Sequence, residues 1–166
     1  MIFSKNDVIS LVSADSIPNA AETPVDDLML LFRLANKMEK ICIDEKGIGL
    51  SAVQVGIPWN FFIVRKRASI FDYYVNCNYK VSGQKLKSVE GCLSLKNSDG
   101  KNRLFEVERY EKIQVKGKQL IVSGVGLVLN DIDFTVTGFQ SIVMQHEIDH
   151  AYGILISKGR EIEIIS

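Results

Sequence analysis

The two histidines of this chain stand four residues apart, in the stretch QHEIDH, 145–150, with a glutamate directly after the first. That spacing constrains the fold more than any other feature. On a helix, positions i and i+4 share a face, so His146 and His150 can ligate one metal ion only if this segment is helical. HExxH is a mechanistic pattern: two imidazole ligands and a glutamate, here Glu147, that serves as general base or acid toward a metal-activated water. Asp149 stands one residue from His150, off the ligand face, and is read as a carboxylate that faces solvent or stands behind the ligands. Two histidines leave a third ligand to be found.

The flanking sequence supports a helix. It is expected to begin near Gly138, with Thr137 and Gln140 spaced as a capping box, and Gly153 is placed to end it. Phe139, Ile142 and Val143 are expected on its core side. A first helix is expected within ETPVDDLMLLFRLANKMEKIC, capped by Thr23, with Pro24 in its first turn and Asp26 and Asp27 near its positive end. Leu28, Leu31, Phe32, Leu34, Ala35 and Met38 give that helix an apolar core face. The first twenty residues are polar and weakly patterned, an irregular or extended lead-in. Between the helices, WNFFIVRK, FDYYVNCNYK, VERYEKIQVKG, QLIVSGVGLVL and DIDFTVT are rich in β-branched and aromatic residues and read as strands. SGQKLK and LKNSDGKNR read as loops, and EIEII as a short closing strand. Two helices among mostly antiparallel strands make an α+β domain, expected to be a single unit over residues 1–166.

Lysine plus arginine equal aspartate plus glutamate at 20 each, so no net charge argues for nucleic acid or an acidic membrane surface. No apolar run approaches the roughly 18 residues of a membrane helix. The N-terminus lacks the pattern of a signal peptide, and a cytoplasmic location is expected. The three cysteines, Cys42, Cys77 and Cys92, are irregularly spaced and suit a reducing compartment. Cys42 and Cys77 are read as small buried hydrophobes.

Downstream of the histidines, the only glutamates are Glu161 and Glu163, near the chain end in an expected strand and poorly placed as a third ligand. Upstream, SVEGCLSL, 88–95, sets Cys92 in a glycine-flanked turn, where a thiolate would ligate a divalent transition metal strongly. Cys plus two His leaves a fourth position open, as in a catalytic site. A third stretch, GIGLSAVQVG, 47–56, has Gly47, Gly49 and Gly56 for close backbone approach or positive φ, and Gln54 as a possible oxyanion donor. It reads equally well as a tight helix-to-strand connection.

Together GIGLSAVQ (47–54), EGCLS (90–94) and QHEIDH (145–150) resemble, in order, the three motifs of the peptide deformylases. The resemblance implies a central HExxH helix enclosed by mostly antiparallel sheets, with an N-terminal helix. It implies removal of the formyl group from the N-terminal formylmethionine of nascent polypeptides, releasing formate. By the same resemblance Cys92, His146 and His150 bind one divalent metal, Glu147 moves protons, and Gln54 and the backbone N–H of Leu93 bind the formyl oxygen. The family's metal is usually iron(II); zinc, nickel and cobalt are also found. Ile48, Gly49, Gly91, Phe139, Ile142 and Val143 would contact substrate, the Gly49 backbone by strand addition.

The chain departs from the usual motifs at Ser51, Lys96, Val143, Phe139 and Ala151, and by a longer NSDGKNR loop, whereas Arg109 matches the arginine that follows that loop. Without a basic C-terminal helix after EIEIIS, weaker ribosome association is expected, as in a compact phage-borne, organellar or divergent member. Two alternatives remain: an HExxH zinc peptidase with a glutamate or histidine as third ligand, and an inactive binding module on the same scaffold.

Overall fold

The computed structural model describes residues 3–163. Helix α1 spans Leu28–Asp44, followed by strand β1 (Gly49–Ser51) and a short 3-10 turn, Ala52–Val55. Strands β2 (Phe61–Arg67), β3 (Ile70–Lys96), β4 (Asn102–Ser123) and β5 (Gly126–Thr137) lead into helix α2 (Gly138–Ala151), and β6 (Arg160–Ile162) follows. The strands form one sheet in the order β1-β2-β3-β4-β5, with β6 added to β4, and every ladder is antiparallel. The α+β reading holds. Of the expected closing strand EIEII, residues 161 and 162 lie in β6, while 164 and 165 fall outside the described residues.

The start of α1 differs from expectation. Asp27, not Thr23, is the cap: its side chain accepts the Leu30 N–H at 2.9 Å. Thr23 lies before the helix, where its backbone N–H and carbonyl pair with the side-chain amide of Asn76. From there Leu31, Leu34, Ala35, Met38 and Cys42 recur at helical spacing, and all are buried. They pack with Leu50, Phe61, Ile63 and Val75 into the first core cluster. The helix closes with Lys46 left-handed (φ 56°) and the Gly47 N–H bonded to the Cys42 carbonyl at 2.7 Å. The connection reading of residues 47–56 holds, and the glycines in it do allow close approach: Gly47 lies against Cys42 and Leu93, and Gly49 against Glu147.

The strands are longer than expected, and bulges explain why. SGQKLK continues β3 instead of looping out. The β3–β4 ladder slips between Ser82 and Lys85, with Gly83 at φ 79°, and then resumes at Lys85–Tyr110. Residues 80–85 are exposed, so this ribbon lacks the apolar alternation that identifies a strand. Gly117 does not end a strand either. It pairs with Ile132, and a Cβ there would stand 2.6 Å from Cys77 Sγ. The true break lies inside QLIVSGVGLVL, where the Ser123 hydroxyl donates to the Gly126 carbonyl at 3.1 Å in the β4–β5 hairpin.

Helix α2 follows β5 directly. Thr137 makes no side-chain cap bond, so the expected capping box is absent. Its other end matches expectation: the Gly153 N–H bonds the His150 carbonyl, the Ile154 N–H bonds the Asp149 carbonyl, and Gly153 has φ 71°. Most of the helix beyond its first turn is buried, polar residues included. Met144 and Ile148 pack with Phe62, Tyr74, Ile113 and Val115 in a second core cluster. Phe139 is a correction: it is 63% exposed and faces away from the core.

Removing the cap should show which residue carries it. Asp27→Ala should cost about 1 kcal/mol in denaturant unfolding. Thr23→Ala, whose hydroxyl is buried without a partner, should cost clearly less.

Candidate metal and catalytic site

Strand β3 and helix α2 bring the three expected ligands together. The donor atoms of Cys92, His146 and His150 lie within 4.8 Å of one another. Cys92 Sγ is 3.7 Å from His150 Nε2, and the two imidazoles stand nearly perpendicular, their centroids 4.8 Å apart. Their positions follow from local geometry, because His146 and His150 are one helical turn apart on α2 while Cys92 projects from the strand beside it. Cys42 and Cys77 are buried in the two main core clusters, away from this group, as expected. Glu161 is far from a ligand position. It pairs with Arg103 at 2.6–2.7 Å, in keeping with its reading as poorly placed for a third ligand.

The residues present fit a metal ion. Burial works against charge on both imidazoles. At His146, Cys92 and Glu90 overcome burial and raise the pKa to about 10; at His150, burial and the neighbouring His146 push it well down. One sulfur and two ring nitrogens within 4.8 Å of one another make a donor set that a divalent transition metal takes with a further position left open. A sulfur and two nitrogens suit iron(II), cobalt(II), nickel(II) and zinc(II).

Behind the ligands lies a buried ionic network. Arg109 Nε and Nη2 grip both oxygens of Glu90 at 2.8 Å, and Arg109 Nη1 reaches Asp149 at 2.6 Å. Glu90 Oε2 stands 2.8 Å from His146 Nδ1, which orients the ring. Burial alone would raise the Glu90 carboxyl, but the bonds from Arg109 and His146 outweigh it and hold it at about 2. Asp149 points off the ligand face as expected, but into the protein rather than solvent, where the Tyr79 hydroxyl donates to it at 2.7 Å. The sequence reading assigned no role to Glu90 or Tyr79. Glu90 was within reach, because it lies two residues before Cys92 and shares its strand face. Tyr79, eleven residues further back along β3, carried no such signal.

Gln145 has a mechanical role. Its Oε1 accepts the Tyr110 N–H at 3.0 Å and its Nε2 donates to the Tyr110 carbonyl at 2.8 Å. The side chain thus supplies both bonds of a missing ladder partner and locks α2 to β4 beside Arg109.

The remaining expected residues surround one cleft of about 320 Å³. Gln54, Gly91, Cys92, Leu93 and Glu147 line its inner part. Ile48, Gly49, Phe139, Ile142 and Val143 form its apolar side, with Phe139 at the mouth. Asn102 and Leu104, just past the longer loop, add to the wall. The loop is itself a tight turn in which the Asn97 side chain accepts the Asp99 and Lys101 N–H groups. Lys96 pairs with Glu45. Gln54 is fixed at both ends: Oε1 accepts the Ser51 N–H at 2.9 Å, and Nε2 points to Cys92 Sγ at 3.2 Å and Ser94 Oγ at 3.3 Å. Glu147 is buried, one oxygen lacking a partner, and burial pushes its carboxyl up to about 7 against the opposing effect of His146. A Cβ on Gly49 would come within 2.5 Å of Glu147 Oε1, so this glycine is what lets the carboxylate sit beside β1.

Two substitutions should test this packing. Gly49→Ala should displace the Glu147 carboxylate and lower kcat at least about tenfold while the fold persists by circular dichroism. Arg109→Met would leave Glu90 and Asp149 buried without their cation and should cost about 3–5 kcal/mol in unfolding experiments.

Comparison with known proteins gives the family. The profile of the family described as polypeptide deformylase matches residues 16–161. The peptide deformylase of Syntrophomonas wolfei is 33% identical over 135 residues, covering 81% of this chain and 80% of that protein. That of Thermus thermophilus is 30% identical over 156 residues, covering 85% and 76%. The crystal structure of a probable peptide deformylase from Synechococcus phage S-SSM7 superposes with a TM-score of 0.77 at 25% identity, covering 92% of this chain and 99% of that one. The chain belongs to the polypeptide deformylase family.

Proposed function

We propose that this protein hydrolyses the N-terminal formyl amide of formylmethionyl peptides, releasing formate and a free methionine amine. The observation that carries the reading is the Cys92–His146–His150 group, of which Cys92 and His146 line the same cleft as the buried Glu147 carboxylate. Cys92, His146 and His150 would hold one divalent ion, iron(II) in the cell. When bound, such an ion acidifies water and polarises a carbonyl oxygen.

The chain's own residues supply the rest. Glu147 takes the proton of the attacking water and passes it to the leaving amine nitrogen. Its raised pKa, about 7, suits a group that must both accept and release a proton near neutrality. Gln54 Nε2 and the Leu93 N–H donate to the oxygen that becomes negative in the tetrahedral state. Losing one such donor typically costs about 3 kcal/mol of barrier. Ser51 holds the carbonyl end of the Gln54 amide, so Nε2 stays directed toward Cys92 and the oxyanion would replace one of its present acceptors, Cys92 Sγ or Ser94 Oγ.

The methionine side chain enters the apolar side of the cleft, against Ile48, Phe139, Ile142 and Val143. Gly91 and Gly49 line the cleft, where an extended substrate adds as a strand along the Gly49 backbone. An inactive binding module would have no use for a buried carboxylate facing a ligand-competent thiol and two imidazoles.

Formate release from formyl-Met-Ala-Ser by the anaerobically iron-loaded protein tests the proposal, with unformylated peptide as control. Turnover should vanish on chelation and return with iron(II). Glu147→Ala should lose about a hundredfold or more in kcat while keeping the metal. Full metal occupancy without formate would sink the assignment, and unchanged turnover in Glu147→Ala would remove that residue's role.

A further inference from the structure

The ionic network behind the ligands does not end at Arg109. Tyr79 on β3 donates to Asp149 Oδ1 at 2.7 Å, and Asp149 Oδ2 takes Arg109 Nη1 at 2.6 Å. Arg109 then spends Nε and Nη2 on Glu90, whose Oε2 meets His146 Nδ1 at 2.8 Å. The chain thus touches α2 twice, at Asp149 and His146, one helical turn apart.

We infer that Tyr79 is a positioning residue for the metal centre, acting through Asp149, Arg109 and Glu90 on the His146 imidazole. This rests on the Cys92–His146–His150 reading of the site. The physical argument concerns how the guanidinium divides its donors. Arg109 faces two buried carboxylates, and each could take it bidentately. With Tyr79 occupying one Asp149 oxygen, Asp149 receives a single Arg109 donor, and the fork formed by Nε and Nη2 stays on Glu90. Without the Tyr79 hydroxyl, that Asp149 oxygen is left buried and unpaired. The carboxylate then turns toward the guanidinium and competes with Glu90, which loosens the hold on His146 Nδ1. Tyr79 does not line the catalytic cleft and packs instead against the second core cluster, so it has no route to substrate except through this chain.

Tyr79→Phe removes the hydroxyl and keeps the ring, so the packing survives. In the cobalt-loaded enzyme, this variant should release cobalt(II) to excess chelator about tenfold faster than wild type, the scale of outer-shell losses at metal-ligating histidines. The cobalt visible bands should shift. kcat for a formyl-Met peptide should fall, with KM within about twofold of wild type. Val115→Ala, a cavity beside the Tyr79 ring in the same core cluster that keeps the Tyr79 hydroxyl, provides the control for packing alone. It should lower stability and leave cobalt release and spectrum as in wild type. Unchanged release and bands in Tyr79→Phe would overturn the inference, and so would equal acceleration in Val115→Ala. If wild type shows no thiolate-to-cobalt band dependent on Cys92, the metal reading falls and takes this one with it. If that band is present but Tyr79→Phe changes nothing, only the positioning role fails.

Discussion

The centre of this protein depends on a guanidinium that no ligand touches. Arg109 is buried between Glu90 and Asp149 and bonds both. Glu90 belongs to the strand that carries Cys92, and Asp149 to the helix that carries both histidines. One cation therefore joins the two elements that must meet for a thiol and two imidazoles to face each other. A buried charge of this kind is costly unless every partner is in place, and here the partners are two carboxylates with complementary geometry. Such a link adds little to stability over an apolar contact, but its geometry is narrow. A metal site needs narrow geometry, since small displacements of a ligand change what it can hold.

Helix α2 shows what this demands of the sequence. A surface helix carries one apolar stripe, whereas α2 buries Ser141, Gln145, Glu147, Asp149 and His150 beside Val143, Met144 and Ile148. Each buried polar side chain needs a partner inside the protein. Ser141 and Gln145 find theirs on the Tyr110 backbone, Asp149 on Tyr79 and Arg109, and His146 on Glu90. Glu147 Oε2 and His150 Nδ1 find none. The unsatisfied atoms thus belong to one proposed ligand and to the proposed proton carrier, while the helix's other buried polar side chains are anchored.

Much of this was legible in the sequence, and the misreadings have physical causes. QHEIDH could act as a pair of ligands only on a helix, and EGCLS supplied the one sulfur whose setting suited a metal. The strands were harder. Residues 80–85 form a two-stranded ribbon exposed to water, so nothing selects an apolar side and the segment reads as a loop. Gly117 reads as a break because glycine usually marks one, yet it sits mid-ladder where Cys77 leaves no room for a Cβ. Thr23 and Asp27 are both good caps by type, and the choice fell to Asn76, which holds the Thr23 backbone from 53 positions away. Phe139 is apolar at a helical spacing but lies at a cleft mouth. A periodic pattern cannot separate a core from a cleft, since both want apolar side chains.

The second layer around the ligands was only partly legible, for a different reason. Metal ligands come from a short menu of residue types at characteristic spacings, so a sequence advertises them. The groups that orient them do not, because any carboxylate, hydroxyl or guanidinium can serve and each arrives from wherever the sheet register places it. Glu90 reaches His146 because the β3 ladder stays in register from Lys85 to Gly91, after the slip at Ser82. Tyr79 lies on the other side of that slip, paired with Val115, and still reaches the same helix. The bulge at Gly83 therefore does more than bend a ribbon. It resets the alternation between Tyr79 and Glu90, eleven residues apart, which an unbroken strand would place on opposite faces. With the slip, both side chains turn toward α2, one to Asp149 and the other to His146, so a polar segment far from the ligands determines how they are held.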